Sequence, residues 1–162
     1  MIPPKNPPDE DKRLQALCDL NILDTQPEER FDRITRLAQR TFAVPIALVS
    51  LIDANRQWFK SKQGLDAAQT PRSISFCGHT ILSDEPLVVP DATKDPRFAD
   101  NPMVTGEPRI RFYAGWPLHA PDGSRIGTLC LIDVKPREFD LESRRALRDM
   151  AEIVQELFGT AP

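Results

Sequence analysis

The spacing of apolar and polar positions divides this chain into short elements. From Asp9 to Leu20, the placement of Leu14, Leu17 and Cys18 on one face predicts a first helix. Thr25-Gln26-Pro27-Glu28 has the form of a capping box, a threonine followed three residues later by a glutamate, with proline in the first turn. The helix it would open carries Phe31, Ile34, Leu37, Ala38 and Phe42 at three-and-four spacing. It should end near Ala43, because Pro45 disfavours a helical conformation at Val44. The period then shortens. Ile46 to Ile52 is a continuous apolar, partly β-branched run, which predicts a strand covered on both faces. After a polar turn, Arg56 to Lys62 predicts its hairpin partner, with Trp58 and Phe59 on opposite faces.

Between Gly64 and Pro108 the periodicity fades. Ser75 to Leu82 predicts a short helix with Phe76, Ile81 and Leu82 inward, and Leu87 to Val89 a short strand ended by Pro90. Asp91 to Pro108 sustains no period beyond one or two helical turns, and an irregular run of that length in a compact domain is usually functional or lid-like. Order returns with strands at Ile110–Leu118 and Arg125–Ile132, joined through the turn-forming Ala120-Pro-Asp-Gly-Ser124. Asp140 then reads as the N-cap of a last helix reaching Phe158, its apolar positions Leu147, Met150, Val154 and Leu157 stepping by three, four and three. The expected architecture is α+β, a central antiparallel sheet with the terminal helices on one face and the irregular segment over the other. A pocket between sheet and cover is the natural ligand site.

Composition narrows the function. With 162 residues the chain suits one domain able to bury its own core, and residues 1–8, which hold four of its 16 prolines, read as an extended arm before a domain at 9–159. A net charge of −3 offers no footprint for nucleic acid. No apolar run has the length of a membrane span, and the first residues lack the apolar stretch of a secretory signal. Cys18, Cys77 and Cys130 are odd in number and far apart, which fits a reducing, cytoplasmic setting rather than a disulfide framework.

In this order the motifs resemble the GAF domain family. The matching text runs from Asn21-Ile-Leu-Asp-Thr-Gln-Pro-Glu-Glu-Arg-Phe-Asp32 through Ile46-Ala-Leu-Val-Ser-Leu-Ile-Asp53, Gln57-Trp-Phe-Lys-Ser61, Ser75-Phe-Cys-Gly-His-Thr-Ile81 and Leu87-Val-Val-Pro-Asp-Ala-Thr-Lys-Asp-Pro-Arg-Phe98. Arg111-Phe-Tyr-Ala-Gly115 and Gly127-Thr-Leu-Cys-Leu-Ile-Asp133 complete it. The likeness covers roughly residues 10 to 158 and is nearest the GAF domains N-terminal to bacterial sensor histidine kinases and diguanylate cyclases. The resemblance implies a PAS-like fold with a six-stranded antiparallel sheet, short helices and loops over a pocket, and a homodimer built through the terminal helices. It also implies a fused or partner output domain, in a two-component or cyclic-di-GMP setting.

Fold does not name the ligand. The five-residue Asn-Lys-Phe-Asp-Glu signature of cyclic-nucleotide-binding members is missing, as are the bilin-attachment surroundings of phytochromes. No cofactor is implied, only an unidentified small molecule. The candidate ligand-binding residues are Phe76, Cys77, His79, Asp91, Phe98, Asn101, Arg111, Tyr113 and Cys130. Aromatic rings, an amide and a guanidinium among them could hold a planar or anionic ligand, or Asp91 to Tyr113 could simply be stapled by its own charges. Cys77 and His79 offer two metal ligands where zinc needs three or four, so no metal site is expected. Cys77 with Cys130 is either a redox pair or two packed core residues. Trp58 and Trp116 read as structural. Three functions stay open: a ligand-responsive regulatory domain relaying through its terminal helices, a dimerisation module with no ligand, and a thiol-dependent reductase of methionine sulfoxide. The last requires an exposed, quickly alkylated Cys77 or Cys130.

Overall fold

A computed structural model describes residues 1–159. The chain runs α1 (Glu10–Asp19), α2 (Glu29–Phe42), β1 (Ile46–Ile52), β2 (Arg56–Gln63), β3 (Gln69–Pro71), α3 (Cys77–Thr80), β4 (Leu87–Val89), α4 (Pro102–Thr105), β5 (Phe112–His119), β6 (Arg125–Asp133) and α5 (Leu141–Phe158). The six strands form one antiparallel sheet in the order β3-β2-β1-β6-β5-β4. Five strands were legible in the apolar pattern. The sixth, β3, is a three-residue edge strand with no buried residue and no hydrophobic signal.

β1 and β6 lie at the centre and are buried on both sides. Ala47, Val49 and Leu51 face a core shared with α2 and α5, whereas Ile46, Leu48 and Ile52 face a second core roofed by the irregular segment. Trp58 and Phe59 divide between these cores as the alternation requires. Asp140 caps α5 by accepting from the Ser143 N–H (2.8 Å). α2 ends at Ala43, which adopts left-handed φ of 51° to turn the chain into β1.

Two expectations fail for identifiable reasons. Cys18 is exposed on α1, and the buried face is instead Arg13 with Leu17. Arg13 reaches through the core to donate to the Ile52 carbonyl at the end of β1 (2.6 Å) and to Glu10 (2.6 Å), which also pairs with Arg72 (2.7 Å). Thr25 and Glu28 form no capping box, because the N-cap of α2 is Glu28 rather than Thr25 and the helix begins at Glu29. They are taken by Lys60, whose fully buried ammonium donates to Thr25 Oγ1 (2.8 Å) and the Gln26 carbonyl (2.7 Å) and pairs with Glu28 (2.7 Å). A bulge in β2 opposite Val49 and Ser50 puts Lys60 in this position. Leu37, expected inward, is half-exposed on α2.

The arm at residues 1–8 lies against the domain. Ile2 N–H donates to the Arg97 carbonyl (3.0 Å), His79 Nε2 donates to the Ile2 carbonyl (2.9 Å), and Pro4 packs on Gly78 of α3.

Burial pushes the Glu10 carboxyl up, but hydrogen bonds from Arg72 and Arg13 prevail and hold it down at about 2. Its stabilising contribution is therefore complete above the ordinary value of 4.5 and is lost as pH falls toward 2. Glu10→Gln strands two guanidinium groups and is expected to cost about 3 kcal/mol at pH 7. In urea titrations the gap to the wild type should close between pH 4.5 and 2. Ala43→Gly relieves the left-handed alanine and should raise stability by about 0.5–1 kcal/mol in the same assay.

Candidate functional site

The second core is incomplete. Between the sheet and its roof lies a cavity of about 390 Å³. Its floor is Ile46, Leu48, Phe59 and Ile132 from the sheet, and its walls come from three pieces of irregular chain. Leu65, Ala67 and Thr70 descend from the β2–β3 connection, Ile74 to Cys77 from the start of α3, and Pro102 to Ile110 from α4 and the loop after it. Each piece is locally determined. Ser75 Oγ accepts from the Gly78 N–H (3.0 Å) and donates to the Arg72 carbonyl (2.7 Å), which starts α3. Asn101 Oδ1 caps α4 by accepting from the Met103 N–H (2.9 Å), while its Nδ2 donates to the Ile74 carbonyl (3.0 Å) and ties the two walls together.

The polar side chains on the cavity wall are Gln57, Thr70, Cys77, Glu107 and Tyr113, and no lysine, arginine or histidine lines it. Gln57 is 5% exposed. Its Nε2 donates to Thr70 Oγ1 (3.0 Å), while its Oε1 is buried with no hydrogen-bond partner. Exchanging the amide O and N would let Thr70 donate instead, and would leave the nitrogen unpartnered. Either way one polar atom of Gln57, a residue of the cavity wall, has no protein partner.

Of the candidate residues, Phe76, Cys77 and Tyr113 line the cavity, and Cys130 sits directly behind Cys77. Phe98 stacks on the outer side of Phe76, with ring centroids 4.0 Å apart, and His79 meets Phe98 edge-on. Asp91 accepts from Thr93 N–H (3.0 Å) and Oγ1 (2.6 Å), and Arg111 donates to the carbonyls of Val104 (2.9 Å) and Ile110 (3.1 Å). Asp91, Asn101 and Arg111 thus satisfy the backbone of an irregular segment, outside the cavity wall. Trp58 is buried in the helix-side core and Trp116 packs against it. Gln57 and Thr70 were not among the candidates, since a glutamine in a strand gives no hint of which face it occupies.

Beneath the apolar cavity lies a polar cluster. Cys77 Sγ accepts from Thr128 Oγ1 (3.1 Å) and Tyr113 Oη (3.1 Å), and Cys130 Sγ is 3.8 Å away. Thr80 Oγ1 is 2.8 Å from Tyr113 Oη and supplies it with a proton when the phenol donates to sulfur. Tyr113 can reach over because Gly115 has no side chain; a Cβ there would collide with the phenol. Burial pushes the Cys77 thiol up, but donors from Cys130, Thr128, Tyr113 and Ser50 outweigh it and bring it to about 7. Cys130 keeps its proton: its contact with Cys77 and its burial hold it well above the usual thiol range. Tyr113 is pushed up by burial and by the sulfur charges beside it. Among the described residues no three metal-ligating side chains converge.

Comparison with known proteins places the chain. Residues 26–156 match the family model for the GAF domain. The chain belongs to the GAF domain family. It is 49% identical over 137 residues to a cyclic di-GMP phosphodiesterase of Pseudomonas aeruginosa, covering 85% of this chain but 23% of that protein. The GAF domain of an Acinetobacter phosphoenolpyruvate-protein phosphotransferase superposes with TM-score 0.65 at 14% identity, covering 92% of this chain and 91% of that one. Free methionine-R-sulfoxide reductase from Neisseria meningitidis, solved with its substrate, superposes with TM-score 0.66 at 17% identity, covering 98% and 95%. These structural likenesses carry the fold alone. No helix among the described residues is long and apolar enough to cross a membrane.

Both inner thiols are buried, Cys77 at 2% and Cys130 at 0% exposure, while Cys18 is exposed. Iodoacetamide at pH 8 is expected to label Cys18 within minutes, Cys77 more slowly by way of the cavity it lines, and Cys130 only after unfolding. Tyr113→Phe removes one donor from the cluster and should cost about 1–2 kcal/mol by urea titration.

Proposed function

We propose that this GAF domain is a sensory module whose cavity binds a small, uncharged, largely apolar molecule carrying one hydrogen-bonding group for Gln57. The unpartnered Gln57 amide at the edge of an apolar cavity is the observation that carries the reading. A buried polar atom without a partner costs about 1–3 kcal/mol, which a ligand's polar group recovers. The absence of any cationic side chain from the wall argues against a phosphate-bearing ligand such as a cyclic nucleotide, whose charge would be left without compensation.

Relay to an output is the second half of the proposal. Ile46, Leu48 and Ile132 floor the cavity on the strands whose opposite faces carry α2 and α5, so ordering of the roof is coupled through two central strands to the terminal helices. Leu37 on α2 and Leu141 and Ile153 on α5 are large apolar side chains left in solvent, which supports a homodimer through these helices. The Pseudomonas relative supports a cyclic di-GMP enzyme as the output, fused or in partnership.

Native mass spectrometry tests this reading. The expected result is a dimer carrying a discrete small-molecule mass, or acquiring one from a library of neutral aromatic and aliphatic metabolites. Ala67→Trp, at an exposed position on the cavity mouth, should lower occupancy at least tenfold while leaving the fold intact. A dimer that stays bare against the whole library would overturn ligand sensing and leave a dimerisation module.

A further inference from the structure

The sulfur cluster carries more chemistry than packing requires. Two thiols of opposite protonation tendency lie 3.8 Å apart, one in the roof of the cavity and one in the sheet. Two hydroxyl donors converge on a single one of them. Thr128 Oγ1 and Tyr113 Oη approach Cys77 Sγ at 3.1 Å each, and the Cys130 sulfur stands 3.8 Å from it. A thiol needs no such number of donors, but a thiolate does, because a charged sulfur removed from water must recover its hydration from the protein. The remaining polar neighbours are Ser50, whose Oγ is 4.0 Å from Cys130 Sγ, and Thr80 behind Tyr113. Among the described residues no carboxylate or cation hydrogen-bonds to the two sulfurs. Cys77 lines the cavity, so a molecule small enough to enter reaches it without unfolding, although bulk solvent does not.

The geometry points to a hydroperoxide-reactive dithiol centre, in which Cys77 is the nucleophile that attacks the entering peroxide and Cys130 the resolving thiol. The Cys77 thiolate attacks one oxygen of a hydroperoxide ROOH. The S–O bond forms as the O–O bond breaks, and the leaving alkoxide takes up a proton to become ROH. Cys77 is then a sulfenic acid. Cys130 sulfur attacks the Cys77 sulfur, the S–O bond breaks, and hydroxide departs with the Cys130 proton as water. The two cysteines together lose two electrons and the peroxide gains them. Bonding requires the sulfurs to close to about 2.05 Å. α3 can supply that movement, since it is four residues long and held in the loop-built roof rather than the sheet. The resulting disulfide would staple roof to sheet at the cavity wall and remove the acceptor that orients Tyr113 and Thr128. This centre does not depend on the cavity holding a resident ligand.

The test uses the Cys18→Ser protein, which removes the exposed thiol and leaves the cluster untouched. Folded protein at pH 7 is treated with equimolar hydrogen peroxide, unfolded in alkylating reagent and mapped by peptide mass spectrometry. The expected product is one peptide pair joining Cys77 to Cys130, formed at least tenfold faster than oxidation of either thiol in the urea-unfolded chain and reversed by dithiothreitol. Cys130→Ser in the same background should accumulate a dimedone-trappable sulfenic acid at Cys77. The rate should rise with pH through about 7. Recovery of both thiols as free cysteine from protein that remains folded by circular dichroism would overturn the proposal. So would oxidation no faster than in the unfolded chain, and that comparison holds even if the serine variant fails to fold.

Discussion

The structure depends on one constraint: β1 and β6 are apolar on both sides, so the sheet must be covered twice. A one-face sheet with two terminal helices would leave Ile46, Leu48, Ile52 and Ile132 in water. At about 25 cal/mol per Å² of apolar surface, that exposure would remove several kcal/mol from a domain with little to spare. The two covers are nevertheless unlike. Helices satisfy their own backbone and present continuous apolar stripes. The other cover is irregular chain, and its backbone groups must find partners one at a time. Asp91, Asn101 and Arg111 meet that need from side chains. Loops so stapled cannot also interdigitate tightly with the sheet, and the cavity is the space left over.

Buried charge plays a related part. Arg13 and Lys60 sit in positions where an apolar residue would pack well; Arg13 donates to the distant Ile52 carbonyl and to Glu10 one turn away, and Lys60 to the Gln26 carbonyl and Glu28. Arg13, through Glu10, joins α1 to Arg72, which begins the turn leading into α3. Lys60 gathers the segment between α1 and α2. Such pairs contribute little net stability but enforce specific geometry, since a displaced partner leaves a charge unpaired in the interior. The α3 wall of the cavity is thereby tied to the first helix of the chain.

The site combines two environments that rarely touch. Above is an apolar cavity with a single unsatisfied amide, and immediately below is a cluster of hydroxyls and sulfurs with Cys77 and Tyr113 belonging to both. In low dielectric the hydrogen bonds of that cluster are strong and mutually polarising, so a change at one member is felt by the rest. Occupancy of the cavity and the state of the sulfur cluster therefore act on the same two side chains.

Much of this was legible in the sequence. The paired apolar strands, the α5 cap at Asp140, the end of α2 near Ala43 and the irregular roof all follow from period, proline placement and capping chemistry, which act over a few residues. The GAF resemblance supplied the count of strands, and Phe76, Cys77 and Tyr113 were already candidates for the cavity wall. What the sequence could not determine was every choice made between distant residues. Thr25 and Glu28 satisfy a local capping rule, yet a bulge in β2 aims Lys60 at them, 35 residues along the chain from Thr25, and wins, because an unpaired buried ammonium costs more than a lost cap. Gln57, Thr70 and the Cys77–Cys130 approach likewise exist only once the roof meets the sheet, since periodicity records which face a side chain takes but never what will stand opposite it.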